Sequence, residues 1–273
     1  MKDRATTLAL NGGLVVVAVT TLAPVAWMVS ASFMTPGEAS SVPLHFFPVH
    51  PTIEHYRVLA ERLHVLRYFL NSFIIASFVT VVSLVFNSMA GYAFAKYRFA
   101  GRDKLFRLLL SGMIVPAQVT MLPLFLMLKT MGLVNTYAGA IVPGLASIFG
   151  IFLIRQFVGS IPDSLIEAAR IDGASEFKVY RSLVLPLCKP ILLTLALFTF
   201  MGTWNDFMWP LIIMTDNAKY TLPVAIANLK GEHLLDLELM MAGSVVTILP
   251  VLGLFLAFQR HYVRGIMVGG VKE

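Results

Sequence analysis

The residues best arranged for chemistry lie in one polar stretch, Ser160-Ile161-Pro162-Asp163-Ser164-Leu165-Ile166-Glu167-Ala168-Ala169-Arg170-Ile171-Asp172-Gly173-Ala174-Ser175. Ser160 and Asp163 have capping-box spacing, Pro162 suits a first helical turn, and Asp163 and Glu167 sit near the positive end of a helix dipole. A helix is therefore expected to run to about Asp172. Gly173 can adopt the left-handed conformation that ends a helix, and Ser175 can cap a second helix running until Pro186 blocks it. Ala168 and Ala169 make a surface with almost no side-chain bulk, while Glu167 and Arg170 supply directional charge. The pattern describes a rigid docking knob for another protein's groove; it equally describes an amphipathic helix resting on lipid headgroups.

A second set of polar residues stands in otherwise apolar surroundings: Gln118, Ser147, Asn205 and Asp206, with Trp204 beside the last two. Amide, hydroxyl and carboxylate groups next to an indole suit a neutral, hydroxyl-rich solute that hydrogen-bonds and stacks. Pro116 and Pro123 flank Gln118 and Pro210 follows Asp206, so both helices are expected to bend there. The bland reading is that these side chains tie helices together. His45, His50 and His55 recur every five residues, which suits neither a helix face nor a strand face and reads as solvated loop histidines rather than a metal site. Cys188 is the single cysteine, which excludes an intramolecular disulfide and a thiolate cluster. Neither His-Glu-x-x-His, Gly-x-Ser-x-Gly nor a paired intramembrane carboxylate occurs to support a membrane enzyme.

These residues must be held by membrane elements. Of 273 residues, 58% are hydrophobic and 13% charged, and the mean hydropathy is +0.79, outside the make-up of a soluble domain. Six stretches approach the roughly 20 apolar residues needed to cross hydrocarbon: Leu8 to Ser32, Phe69 to Phe94, Leu105 to Leu128, Tyr137 to Phe157, Pro190 to Met214 and Met241 to Tyr262. The expected fold is an all-α integral membrane protein with six transmembrane helices in a single domain. The first stretch follows Lys2 and Arg4 as a secretory signal does, but its apolar core is too long for a cleaved one and reads as an anchor. With the N-terminus inside, most of the 21 Lys and Arg fall on the cytoplasmic side, including Lys96, Arg98, Arg102, Lys104 and Arg107, and both termini are cytoplasmic. Only Arg57, Arg62, Arg67, Lys129, Lys219 and Lys230 fall outside. Topology thus accounts for a pI near 9.5 without nucleic acid. At 1.5 Å per helical residue, Gln118 lies just past the midplane, Ser147 near it, and Asn205 and Asp206 in the outer half. The outer segments Phe33 to Tyr68, with a short capped helix near Pro51-Thr52-Ile53-Glu54, and Thr215 to Leu239 are free to meet a soluble partner.

The pattern Glu167-Ala168-Ala169, three residues, Gly173, nine residues, Leu183, one residue, Leu185-Pro186 resembles the cytoplasmic signature of ABC-importer permeases, with Leu183 where the family more often has Ile. The fuller string from Glu167 to Ala174, Trp204-Asn205-Asp206-Phe207-Met208-Trp209-Pro210, and Val263-Arg264-Gly265-Ile266 are similar to the carbohydrate-uptake subclass, close to the smaller permease of maltose-type systems. The resemblance covers nearly the whole chain. It implies a type I importer permease fold with a cytoplasmic coupling helix between the fourth and fifth spans, within residues 160–186.

The resemblance also implies function. The permease itself hydrolyses no ATP, in keeping with the lack of a Gly-x-x-x-x-Gly-Lys-Ser/Thr phosphate loop, and binds no cofactor; ATP and Mg belong to partner subunits. Glu167, Ala168, Ala169, Arg170, Asp172, Gly173 and Pro186 are expected to couple this chain to a cytoplasmic ATPase. The implied partners are a second permease of different sequence, two ATPases, an extracytoplasmic solute-binding protein and membrane lipid, in a bacterial or archaeal cytoplasmic membrane. The tail after Tyr262 is expected near the ATPase interface. The expected cargo is a sugar or oligosaccharide, with a polyol or glycerophosphate as the alternative; a secondary transporter is the more distant rival, lacking a visible inverted repeat.

Overall fold

A computed structural model describes residues 2–61, 63–232 and 236–270. In chain order its helices are α1 Lys2–Ala31, α2 Glu54–Glu61, α3 Val65–Lys96, α4 Arg102–Ser111, α5 Ala117–Thr130, α6 Tyr137–Ile141, α7 Ile148–Gly159, α8 Asp163–Ile171, α9 Glu176–Val179, α10 Leu185–Leu187, α11 Lys189–Trp204, α12 Met208–Ile213, α13 Leu222–Glu232 and α14 Leu237–Gly270. Short 3-10 turns and a π turn at Tyr180–Val184 join some of them. Among the described residues four helices are long and apolar enough to span a membrane, and six if each of two bent pairs counts as one span. The all-α membrane architecture therefore holds.

Two expected spans, Leu105 to Leu128 and Pro190 to Met214, are broken rather than continuous, and a further bend falls between the coupling segment and α11. α4 with its 3-10 extension and α5 meet at 104°. Val115, extended at φ −79°, ψ 119°, precedes Pro116, and a residue before proline is pushed out of the helical region. The stretch 176–187 and α11 meet at 78°, on either side of Cys188 and ahead of Pro190. The expected span from Pro190 to Met214 stops at Trp204 and resumes as α12. There the Asn205 amide donates to Met201 O at 2.9 Å and the Asp206 carboxylate accepts from Trp209 N at 3.3 Å. Short polar side chains that satisfy the backbone locally compete with helix continuation.

The chain gathers into two compact units, residues 1–67 with 222–250, and residues 68–221 with 251–273. In the first, α1 carries exposed apolar side chains all round, Leu8, Leu14, Val16 and Leu22 among them, as a helix facing lipid or another membrane subunit does. Its loop core is Ala31, Met34 and Ala39 against Trp27, Leu237 and Met241. Backbone groups that no helix satisfies are taken up by carboxyl side chains: buried Glu238, 1% exposed, accepts from Ala39 N at 2.8 Å, and half-buried Glu38 accepts from Val49 N and Thr35 N. Those bonds hold the Glu38 carboxyl below the usual carboxylate range. The capped helix near Pro51 is α2, with Thr52 Oγ1 accepting from Glu54 N. One histidine corrects the expectation of solvated loop residues. His55 is buried with Nε2 2.8 Å from Met34 O, and no metal-binding group of His, Cys, Asp or Glu exists among the described residues.

The second unit is built on α3. Its buried face is polar as well as apolar, as intramembrane polar groups facing protein must be. Asn87 donates to Ser83 and accepts from Ser147 N at 3.0 Å. Asn71 donates to Ala218 O and Tyr220 O and accepts from the Tyr137 hydroxyl. Gly91 lets α3 and α7 touch: a Cβ there would stand 2.6 Å from Ile154 Cγ2 and 3.0 Å from Arg155 N.

Candidate functional site

The polar stretch folds as a short helix, a sharp elbow and a second short helix. Two details differ from the expectation. Pro162 is the residue flanking α8 rather than part of its first turn, and Ser160 closes α7, its hydroxyl donating to Phe157 O. No capping box forms. Beyond Asp172 the expected termination is present: Gly173 has φ 78°, Gly173 N donates to Arg170 O and Ala174 N to Ala169 O, both at 3.0 Å. This is a Schellman ending, open to glycine because it carries no Cβ penalty. Ser175 then caps α9 by accepting from Lys178 N. Pro186 does not stop the second helix but lies inside α10, and the bend follows at Cys188.

One face of this elbow is fastened. Ile166 is 2% exposed and packs with Tyr92 of α3, Ile154 and Val158 of α7, and Val179, Tyr180 and Val184. Burying an isoleucine is worth roughly 2 kcal/mol. Ala169 and Ala174, the two ends of the Schellman turn, pack against the same cluster. The Tyr180 hydroxyl lies 2.8 Å from Ser88 Oγ of α3.

A clamp at the end of α3 grips both arms. The Lys96 ammonium, its side chain 7% exposed, donates to Ile161 O at 2.5 Å and to Asp163 Oδ1 at 2.6 Å. The Tyr97 hydroxyl donates to Glu176 Oε2 at 2.8 Å, and Arg170 Nε and Nη2 reach Glu176 Oε1 and Oε2 at 2.8 and 3.1 Å. The bidentate fork fixes the elbow angle. Lys96, Tyr97, Glu176 and Tyr180 are thus working parts of the site that the sequence did not announce.

The other face is open. Glu167, Ala168, Asp172 and Gly173 are exposed, as are Leu165, Ile171 and Phe177. A Cβ on Gly173 would meet nothing within 4 Å. An exposed patch of small and apolar side chains, rimmed by charge and braced from behind, suits a protein contact.

The clamp's electrostatics give a pH signature. Lys96 beside Asp163 holds that carboxyl below its usual range, and Arg170, with Tyr97, does the same for Glu176. Burial, then Glu176, pushes the Tyr97 phenol up. Depressed carboxyl values make their contribution available above the ordinary carboxylate range and remove it as pH falls through the lowered values; a raised phenol keeps its donor through mild alkali. A spin label at exposed Ser164 is therefore expected to keep constant mobility from neutrality to about pH 9 and to loosen below about pH 4. Unchanged mobility in acid would refute the clamp.

The expected path residues are held differently from one another. Gln118 is exposed in the first turn of α5, just past the break. Ser147 caps α7 by accepting from Gly150 N at 2.9 Å and is tied to Asn87. Asn205 is exposed and Asp206 half-buried in the gap between α11 and α12. Trp204 corrects the stacking expectation: it is 0% exposed, with Phe200 stacked at 5.9 Å and Phe69 edge-on at 5.3 Å, a ring held by aromatic neighbours rather than offered to a solute. Side chains from Val263 to Ile266, and tail residues 271–273, lie outside the described residues.

A family model described as "Binding-protein-dependent transport system inner membrane component" matches residues 87–268. The chain is 36% identical to the arabinooligosaccharides transport system permease protein AraQ of Halalkalibacterium halodurans, over 91% of this chain and 90% of that protein. It is 37% identical to the sn-glycerol-3-phosphate transport system permease protein UgpE of Salmonella typhi, over 72% and 71%. Among solved structures, it matches a chain of a bacterial ABC transporter involved in importing the acidic polysaccharide alginate, with TM-score 0.82 and 27% identity over 95% of this chain and 97% of that one.

Proposed function

The chain belongs to the family of binding-protein-dependent transport system inner membrane components, and from that premise we propose that it is the permease subunit of an ATP-driven importer of oligosaccharides. The observation that carries the mechanism is the braced elbow: Glu167 to Gly173 exposed on one side and locked to α3 and α7 on the other. A contact can shift a two-state membrane domain only if force applied to it reaches the spans. A loose loop would absorb the motion of a cytoplasmic ATPase. Lys96 and Glu176 transmit it to α3.

In this reading the α8 elbow seats in an ATPase that supplies the hydrolysis, with ATP and Mg held by that partner. A second permease, with a second ATPase, completes the pore. A soluble binding protein delivers the solute from outside the membrane, the side to which the charge asymmetry assigns the segments Phe33 to Tyr68 and Thr215 to Leu239. Both termini are cytoplasmic. Gln118, Ser147, Asn205 and Asp206 line or order the path. Helices broken where polar groups gather are the usual way a spanning protein exposes backbone to a solute without exposing it to lipid.

The test is uptake by the reconstituted transporter with its binding protein, across arabino-oligosaccharides, other oligosaccharides and sn-glycerol 3-phosphate. Saturable ATP-dependent accumulation of an oligosaccharide supports the proposal. Accumulation of glycerol phosphate alone would reassign the cargo, and uptake driven by an ion gradient without ATP would overturn the importer reading.

A further inference from the structure

The turn joining α3 to α4 holds an open cleft of about 630 Å³ lined by Arg98, Phe99, Arg102, Asp103, Lys104 and Arg107. Its charges do not cancel. Asp103 is the one carboxylate in the lining, and it is already engaged by Arg102 at 3.1 Å and by Arg155 at 3.7 Å. Arg98, Lys104 and Arg107 have no carboxylate within ion-pair distance among the described residues, and all three are exposed.

The same turn presents apolar surface. On α4, Phe106 points inward, 4% exposed, beneath the Arg155 guanidinium at 3.7 Å. Leu105 and Leu108, three residues apart on an adjacent face, are 50% and 69% exposed, and Phe99 is exposed at the cleft itself. A soluble phosphate would need only the cations. Cations and exposed leucines interleaved along one short helix match a ligand with an anionic head and an acyl tail.

We propose that this cleft is a binding site for the headgroup of an anionic phospholipid. Arg98, Lys104 and Arg107 take the phosphate, and Leu105 and Leu108 lie along the chains. Arg102 works from behind, its guanidinium on Tyr97 O at 3.3 Å and on Asp103. Because Tyr97 also holds Glu176 of the elbow, lipid in the cleft rests against the same short stretch of chain that braces the coupling segment.

The probe is spin-labelled phosphatidylglycerol, added to the complete transporter in phosphatidylcholine nanodiscs without solute or ATP, so that the result is independent of transport. Each cation near a membrane surface is worth roughly fivefold in binding. Replacing Arg98, Lys104 and Arg107 together by Gln is expected to lower phosphatidylglycerol binding on the order of a hundredfold at low salt. Phosphatidylcholine binding and the circular dichroism melt should stay unchanged, and millimolar inorganic phosphate should not displace the lipid. If the triple variant fails to fold, Lys104→Gln alone should show the roughly fivefold loss. Unchanged phosphatidylglycerol binding overturns the site. Displacement by inorganic phosphate makes it a free-phosphate site and overturns the lipid assignment. Loss of the co-purifying ATPase with lipid binding intact makes the patch a protein interface and overturns it likewise.

Discussion

Glu167→Lys should abolish solute-stimulated ATP hydrolysis while leaving the permease folded and inserted. The reason lies in which face of α8 carries the residue. Ile166, one position earlier, is buried among Tyr92, Ile154 and Val158, whereas Glu167 is exposed and makes no hydrogen bond or ion pair among the described residues. Reversing its charge removes nothing from the fold. At a desolvated protein contact, a reversed charge costs several kcal/mol, on the order of a hundredfold or more in occupancy. Gly173→Asp should act through a second cause. Space is open around Gly173, but φ 78° penalises any residue with a Cβ, by about 1–2 kcal/mol, and the elbow angle shifts. The measurement is ATPase co-purification and turnover with the binding protein and solute. If both survive the two substitutions, the elbow is an interfacial helix on lipid and not the coupling contact.

Gly91→Val should disable the protein from the opposite end of the clamp, by unfolding it rather than uncoupling it. The new side chain would meet Ile154 Cβ at 2.7 Å as well as the Arg155 backbone, neither of which can swing aside. α3 and α7 must separate, and overpacking of this kind costs about 3 kcal/mol. Separation also moves Lys96, little more than one turn beyond, away from Ile161 and Asp163. The expected result is a much reduced yield of monodisperse permease and a lower melting midpoint in detergent. Gly159→Ala, where a Cβ meets nothing within 4 Å, should leave both near the parent value. Equal melting of the two variants would show that α3 and α7 do not touch at Gly91.

Much of this was legible in the sequence because it depends on local chemistry. Apolar length marked the spans, and the positive φ available to glycine marked Gly173 as the elbow. Ser175 fulfilled its cap because an N-cap needs only the next few residues. The breaks were harder. Proline near Gln118 announced a bend, but not that Val115 and Pro116 would turn the chain by 104°. Asn205 and Asp206 read as path residues, but their spacing does not disclose that Asn205 bonds to the end of α11 and Asp206 to the start of α12. What the sequence hid is long-range. Lys96 meets Asp163 across 67 positions, and Tyr97 meets Glu176 across 79. Pairs so distant leave no spacing signal in one chain. His55 is hidden in the same way, buried against Met34 by a loop without regular structure. Trp204 misled for a related reason, since an indole beside polar residues suits a sugar or a core equally, and only Phe69 and Phe200 decide between them.

The clamp also explains why the site mixes strong and weak interactions. Arg170 and Glu176 are 39% and 49% exposed in their side chains, so their pairing adds little to stability. It serves to fix an angle. The apolar anchor at Ile166 supplies the hold, and the enclosed Lys96 supplies the register.

The most direct test of the account is ATP hydrolysis by the purified transporter in lipid vesicles, with its binding protein, measured with and without oligosaccharide in the parent and in Glu167→Lys. A solute-stimulated rate is expected in the parent, and only an unstimulated rate, or no bound ATPase, in the variant. A purified chain that never carries an ATPase, or a variant stimulated as fully as the parent, would contradict it.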